Sequence, residues 1–303
     1  MTVQRSYHGH VPHQPNDEAT DLSEALDMST KKTLFITGVS SGFGQALAQQ
    51  ALAAGHCVIG TLRDAKALQA FEAQSPDAHG VLLDVTDFAA IDAAISQADQ
   101  AFGPVDVLVN NAGYGHEGVF EESPLDEMRR QFDVNVFGAV AVTKAFVPLF
   151  RQRRSGHIIN ITSMGGHLTM PGIAYYCGSK FALEGISETL SKELKPFGVF
   201  VTAVAPGSFR TDWAGRSMQR SPRQIADYDA LFDPIRQARE EKSGKQLGDP
   251  VKAAQAMLQL IASEHPPAHL LLGSDALKLV REKLAQLNTE IDQWEALTRS
   301  TDG

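Results

Sequence analysis

The stretch Thr33-Leu34-Phe35-Ile36, followed by Thr37-Gly38-Val39-Ser40-Ser41-Gly42-Phe43-Gly44, limits what this chain can fold into more than any other. Four residues, mostly apolar, read as a short buried strand. Three glycines then permit a tight turn. An amphipathic segment from about Gln45 to Ala54, closed by Gly55, reads as a helix. A strand that enters a helix through such a turn aims free backbone N–H groups and the positive end of the helix dipole at one point, which suits a phosphate. The glycines also let the backbone approach a pyrophosphate closely. An ordinary strand–turn–helix connection is the competing reading. The glycine triplet after the first strand favours a nucleotide site touched by Gly38, Ser40, Ser41, Gly42, Phe43 and Gly44. No Gly-Lys-Ser/Thr ending follows the turn, so a P-loop nucleotidase is excluded.

The chain then alternates strands with helices. A second strand, about Cys57 to Thr61, is followed by Leu62-Arg63-Asp64. Sites for NAD commonly place an acid here for the ribose 2′-hydroxyl; Leu62 and the planar cation of Arg63 suit a 2′-phosphate instead, with Asp64 arguing the other way. A third strand, Val81 to Leu83, ends in Asp84-Val85, and a fourth, Val105 to Val109, in Asn110-Asn111-Ala112-Gly113. Between them an Ala-rich helix has Ile91, Ala94 and Ile95 on one face. A long helix from about Leu125 to Gln152 carries Asn135 in apolar surroundings, where an amide needs a buried partner. Next come a strand, His157 to Ile161, ending in Thr162-Ser163, and a helix running to about Pro196. A last strand, Val199 to Ala205, ends in Pro206-Gly207-Ser208-Phe209-Arg210-Thr211. This order predicts an α/β fold, a single-domain Rossmann-like doubly wound parallel sheet of about seven strands flanked by helices, with ligands beyond the carboxyl ends of the strands.

In the helix after Ser163, Tyr176 and Lys180 are four apart and share a face. A free phenol titrates near about 10. An ammonium about 4 Å away at an effective dielectric of about 20 favours the phenolate by roughly 4 kcal/mol, enough to bring the phenol towards neutrality, where acid–base catalysts work best. A Tyr and a Lys at this spacing are also common on plain surface helices. The glycine turn, the strand-end motifs and Ser163 lift the pair above that background.

Taken together, Thr37-Gly38 to Gly44, Asp84-Val85, Asn110-Asn111-Ala112-Gly113, Asn135, Ser163, Tyr176 with Lys180, and Pro206-Gly207 with Thr211 resemble the short-chain dehydrogenase/reductase family in order and spacing over about residues 31 to 275. The resemblance implies an NAD(P)-dependent enzyme acting on CH–OH and C=O groups. Tyr176 would be the proton donor or acceptor, Lys180 would lower its pKa and hold the nicotinamide ribose, Ser163 would bind the substrate oxygen, and Asn135 would hold a water behind Lys180. Asp84 and Val85 would contact the adenine. Asn111, Ala112, Gly113 and the stretch Pro206, Gly207, Phe209, Thr211 complete the cofactor contacts. The Leu62-Arg63 pair is similar to NADP-preferring members, so NADP(H) is expected over NAD(H), with no metal. A homodimer or homotetramer through the helices of Asn135 and Tyr176 is expected by the same resemblance. An NADP(H)-binding sensor without turnover, or an isomerase with a retained cofactor, are the alternatives.

The flanks and the substrate side are read from composition and pattern. Residues 1 to about 30 are polar, with Pro12 and Pro15, and read as a disordered arm. His8, His10 and His13 lack the acids or cysteines that would complete a metal site. Residues 208 to 247, with Trp213, Met218, Tyr228 and Phe232, read as a substrate lid of short helices. Tyr114, His116, Met164, His167 and Met170 are candidate pocket walls for a moderately hydrophobic carbonyl or alcohol. Residues 276 to 303 read as a helix and tail whose seam of Leu277, Val280, Leu284, Leu287, Ile291 and Trp294 is expected to pack on its own domain. A net charge of -9 argues against nucleic acid or an anionic membrane as partner. Two cysteines and the lack of a recognisable targeting segment fit a cytoplasmic protein.

Overall fold

The structure, a computed structural model, describes residues 30–303 apart from Arg216. The arm assigned to residues 1–30 lies outside the described residues, Thr30 excepted, and so do His8, His10 and His13. In chain order the main elements are β1 (Thr33–Ile36), α1 (Gly42–Ala53), β2 (Cys57–Leu62), α2 (Ala65–Glu72), β3 (Ala78–Leu82), α3 (Phe88–Phe102), β4 (Val107–Asn110) and β5 (Gly115–Glu117). They continue as α4 (Leu125–Phe132), α5 (Ala139–Arg153), β6 (Gly156–Ile161), α6 (Ala174–Leu194), β7 (Val199–Pro206), β8 (Met218–Arg220), α7 (Asp229–Glu241), α8 (Pro250–Ala262), β9 (His269–Leu272) and α9 (Ser274–Arg299).

Seven of the strands pair in parallel in the order β3-β2-β1-β4-β6-β7-β9, as the sequence pattern requires. Both faces are covered, which is why the central strands are apolar at successive positions rather than alternating. Leu34 and Ile36 enter one core with Leu47, Met257 and Leu258, while Phe35 enters the other with Phe146, Phe150 and Ile158. Helices α1, α2 and α8 close the first face; α3, α5 and α6 close the second. The order reverses between β1 and β4, so the crevice for a ligand opens there, beyond the glycine turn and the Asn110–Gly113 run.

Three expectations change. The long helix Leu125 to Gln152 is continuous but not uniform: Asp133–Gly138 forms a π-helical turn between α4 and α5, and Asn135 lies in it. By length and apolar content Leu125–Arg153 would pass for a membrane span, yet Val142, Phe146 and Phe150 pack on the sheet. The lid of short helices also contains a strand, because β8 pairs in parallel with β5. Finally, the α9 seam packs on its own domain only at its start, through Val280. Only Ala276 and Val280 of this helix are buried, and from Leu284 to the end every residue is exposed. At 26 residues the helix is about 39 Å long and outruns the edge strand β9 that it covers.

Candidate active site

The glycine turn is held open from outside. Gly38 and Gly42 adopt φ of 73° and 60°, which favours glycine at both positions. Gly38 N–H donates to Thr61 Oγ1 at 2.9 Å. Asn111 Nδ2 donates to the carbonyls of Thr37 and Gly38 at 2.9 and 2.8 Å, and the N–H groups of Asn111 and Ala112 both donate to Thr37 Oγ1 at 3.0 Å. Asn111, expected as a cofactor contact, thus spends its side chain on bracing the turn. A Cβ at Gly44 would strike the Gly38 carbonyl and the Asn111 amide. Helix α1 starts at Gly42 with no side-chain cap from Ser41 and no acid in its first turn. Its first amides therefore point to the crevice without a carboxylate to claim them, which fits a bound pyrophosphate.

At the end of β2, Asp64 caps α2 by accepting from Ala67 N–H at 2.8 Å. Its carboxylate has a local structural task, so the residue that argued for NAD is committed elsewhere. Arg63 beside it is exposed. Asp84 accepts from Thr86 N–H at 2.9 Å and Thr86 Oγ1 at 2.7 Å. Burial opposes its charge, but these bonds and the nearby Arg63 hold its carboxyl below the ordinary range. Val85 is buried against α3, and Gly113 approaches Asn135 so closely that a Cβ there would lie 3.0 Å from Oδ1.

Ser163, Tyr176 and Lys180 converge at the carboxyl end of β6. Ser163 Oγ accepts from Gly165 N–H at 3.0 Å. A Cβ built on Gly165 would sit 3.3 Å from Ser163 Oγ and 3.4 Å from the Tyr176 ring, which places both side chains about one point. The neighbouring Tyr175 is not available: its hydroxyl donates to Ser123 O at 2.7 Å. Lys180 is buried and its Nζ donates to Ile161 O at 2.8 Å. Asn135 accepts from Tyr114 N–H through Oδ1, and its Nδ2 donates to Tyr114 O and Ser179 Oγ, each at 3.1 Å.

The electrostatics differ from the expected depressed phenol. Burial pushes Tyr176 up to about 12, against hydrogen-bonding from Ser163 and Trp213. Lys180 Nζ turns towards Ile161 and lies 5.7 Å from the Tyr176 ring centre, so desolvation outweighs its charge. Burial lowers Lys180 itself to about 8, with Glu184 partly opposing.

Trp213, which sequence reasoning placed only in the lid, is a direct neighbour of Tyr176. Its ring lies 5.0 Å from that of Tyr176. Its Nε1 is buried and faces the phenol without completing a well-aligned hydrogen bond. Met170, Ile173 and Cys177 pack around the same two rings. No sequence signal tied Trp213 to Tyr176, because the contact is made by the fold.

The loop after β7 is fixed as well. Asp275 Oδ2 accepts from Ser208 N–H at 2.8 Å, and a Cβ at Gly207 would collide with this carboxylate. Phe209, expected as a cofactor contact, has a buried side chain that packs edge-on against Phe43 at 5.1 Å, so any contact it makes with a ligand is through its backbone. Thr211 caps the short turn Asp212–Ala214. Arg210 pairs with Asp249 at 2.9 Å. Of the pocket walls, Met170 is at the site, whereas His116 stacks on Tyr175 and His167 turns to Glu184. The lid segment is tied down: buried Glu117 pairs with Arg220, Arg236 and Arg239, and Glu122 with Arg223.

A nucleotide crevice at the sheet's switch point with a buried Ser-Tyr-Lys set beside it defines a dinucleotide-dependent oxidoreductase fold. The short chain dehydrogenase profile matches residues 32–221, and the chain belongs to that family. Oxidoreductase BOA17 of Botryotinia fuckeliana is 35% identical over 269 residues, 88% of this chain and 98% of that one. A short-chain dehydrogenase from Streptomyces avermitilis superposes with a TM-score of 0.84 at 40% identity, covering 90% of this chain and 99% of the other. A family member from Burkholderia phymatum, solved in complex with NAD, has a TM-score of 0.74 at 27% identity and covers 86% and 95%. The protein is therefore a short-chain oxidoreductase that uses a nicotinamide dinucleotide and acts on CH–OH and C=O groups.

Proposed function

We propose that the protein interconverts a moderately hydrophobic ketone or aldehyde and its alcohol with NADP(H), with Tyr176 passing the proton. The carrying observation is that Ser163, Tyr176 and Trp213 turn their polar atoms to one buried point while the adjacent Tyr175 hydroxyl is taken up by Ser123. When bound, the dinucleotide supplies or accepts the hydride. The Gly38–Gly44 turn and the first amides of α1 would hold its pyrophosphate, Asp84 and Val85 its adenine end, and the backbone of Pro206, Gly207 and Thr211 its carboxamide.

Ser163 Oγ and the Trp213 indole N–H bind and polarise the carbonyl oxygen. Tyr176, protonated throughout the neutral range at a pKa of about 12, donates to that oxygen. The Lys180 ammonium favours the phenolate left behind and reaches the ribose. Both amide protons of Asn135 are taken by Tyr114 and Ser179, so Asn135 can only accept from a relay water. Arg63 would face the 2′-phosphate, with Asp64 withdrawn into its cap. Met170, Ile173 and Trp213 give the pocket its apolar wall. Homodimers or homotetramers would form along α5 and α6, where Val140, Val147, Ile186 and Leu190 line a groove of about 370 Å³.

The reading is tested by following NADPH and NADH oxidation side by side over a panel of ketones, aldehydes and quinones, with wild type and Tyr176→Phe. Turnover with NADPH, at least tenfold weaker turnover with NADH, and its loss in Tyr176→Phe with dinucleotide affinity retained are expected. Full activity in Tyr176→Phe would remove the proton-transfer role; equal use of NADH would remove the Arg63 assignment. Tight NADPH binding with no turnover on any substrate would favour a sensor.

A further inference from the structure

Behind the candidate site, three side chains from separate segments meet: His167 from the turn after β6, Glu184 from α6 and His269 from the start of β9. His167 Nε2 lies 3.3 Å from Glu184 Oε1, and His269 Nδ1 lies 3.0 Å from Glu184 Oε2. One donor atom from each of the three can be chosen so that all lie within 4.8 Å of one another. Glu184 is buried, and neither its Oε1 nor His167 Nε2 has a hydrogen-bond partner although both atoms are out of reach of solvent. An imidazole nitrogen and a carboxylate oxygen 3.3 Å apart inside a protein need a proton or a cation between them. A proton on His167 Nε2 makes this contact an ion pair to Glu184, and a metal would take the place of that proton.

We propose that His167, Glu184 and His269 bind one divalent transition-metal cation of the zinc class. Two imidazoles and one carboxylate suit that class in type and number. Tetrahedral bonds of about 2.0–2.1 Å set neighbouring donors about 3.4 Å apart. The three donors lie within 4.8 Å of one another, and the two imidazoles address different oxygens of the one carboxylate, so small side-chain shifts would close the set around an ion. The carboxylate reduces the ion's net charge to one. His269, whose side chain is 39% exposed, gives the entry path and leaves room for a water as fourth ligand. Its second nitrogen lies 3.9 Å from Glu188 Oε2, beyond hydrogen-bond length, and a small side-chain shift would let Glu188 act as the outer carboxylate that commonly orients a metal-bound imidazole. The ion would clip the turn that carries Ser163 to the helix that carries Tyr176 and to edge strand β9. None of its ligands belongs to the catalytic set, so the site stands or falls apart from the reaction.

Full-length protein, freed of metal with a chelator, is titrated with Co²⁺ read by its visible d–d absorption, and with Zn²⁺ read by calorimetry and thermal melting. One equivalent is expected to bind wild type and equally the triple variant His8→Ala, His10→Ala, His13→Ala, which removes the arm's imidazoles. Glu184→Gln and His269→Ala are expected to bind at least about tenfold more weakly. Zn²⁺ at about a hundred times its Kd should raise the wild-type Tm by about 5 °C and that of His269→Ala by no more than about half as much. His269→Ala alters a partly exposed side chain and keeps the test decisive should Glu184→Gln fold poorly. No binding at millimolar metal, unchanged affinity in His269→Ala, or binding that vanishes with the arm histidines would overturn the proposal.

Discussion

At the scale of single residues, the buried ammonium of Lys180 sets function against stability. Its pKa falls from 10.5 in the unfolded chain to about 8 in the fold, by burial. Between those values the unfolded state binds more protons, so this residue makes stability rise with pH from about 8 to about 10.5. Below pH 8 the folded protein carries the full desolvation cost of about 3 kcal/mol. Lys180→Met removes that cost but leaves Ile161 O without its donor, a loss of about 1–2 kcal/mol. The variant should therefore be more stable by about 1–2 kcal/mol at pH 7, by denaturant titration, with the gain disappearing near about pH 9–9.5 and reversed by pH 10.5, and it should be inactive. A gain that persists at pH 10.5 would mean that packing, not charge burial, is the cause. With Tyr176 as the proposed proton donor, the two pKa values of Tyr176 and Lys180 would also shape the rate. Tyr176 is a ready acid at neutral pH, so carbonyl reduction should be flat to about pH 8 and fall above it as Lys180 loses its charge. Alcohol oxidation, which needs the phenolate, should keep rising with pH.

At the scale of elements, what could be read from sequence is what is local. The β1–α1 turn was legible because strand, glycines and helix lie within one short stretch: Gly38 and Gly42 answer to a positive φ and Gly44 to a close contact. Gly44→Ala tests this: its Cβ would meet the Gly38 carbonyl and the Asn111 amide, both held by further hydrogen bonds and unable to yield. A loss of dinucleotide affinity of at least a hundredfold, by calorimetry, with a lower Tm is expected. Elements made by distant partners were not legible. Strand β8 has three residues and pairs with β5 about a hundred positions earlier, a distance that no periodicity spans. The π-turn at Asn135 reads as ordinary helix until its amide is seen to bind Tyr114 and Ser179. Burial also explains why the phenol was misjudged, since charge spacing is visible in sequence and desolvation is not. The ion pairs around Glu117 are equally non-local, and they fix the lid. Glu117→Gln leaves Arg220, Arg236 and Arg239 without their shared buried carboxylate and should cost about 2–3 kcal/mol. Limited proteolysis should then cut first between β8 and the end of α7, and KM should rise more than kcat falls. Unchanged cleavage would show that the lid is held by its apolar contacts.

At the scale of the molecule, two of the apolar faces exposed among the described residues lie on helices, and they differ in what backs them. Along α5 and α6, Val140, Val147, Ile186 and Leu190 form a groove against helices that are themselves packed into the core by Val142, Phe146, Phe150 and Leu183. Phe137 and Phe181 stand exposed on the same two helical runs. A rigid, concave, apolar surface on the helices that carry Asn135 and Tyr176 suits a symmetric contact between copies, and that contact would stiffen the catalytic helix. The α9 seam has no such backing: past Lys283 every residue is exposed. If the groove is the assembly surface, Ile186→Glu, which puts a charge at its centre, should give monomers in analytical ultracentrifugation, with a lower Tm and weaker turnover but unaltered dinucleotide selectivity. Deleting Leu284–Gly303 should leave the subunit count unchanged and move Tm by no more than about 2 °C, since the deleted residues bury no core. The opposite pair of results, an intact oligomer in Ile186→Glu and monomers after the deletion, would transfer the interface to α9. It would also explain why a seam of Leu284, Leu287, Ile291 and Trp294 stands open to solvent.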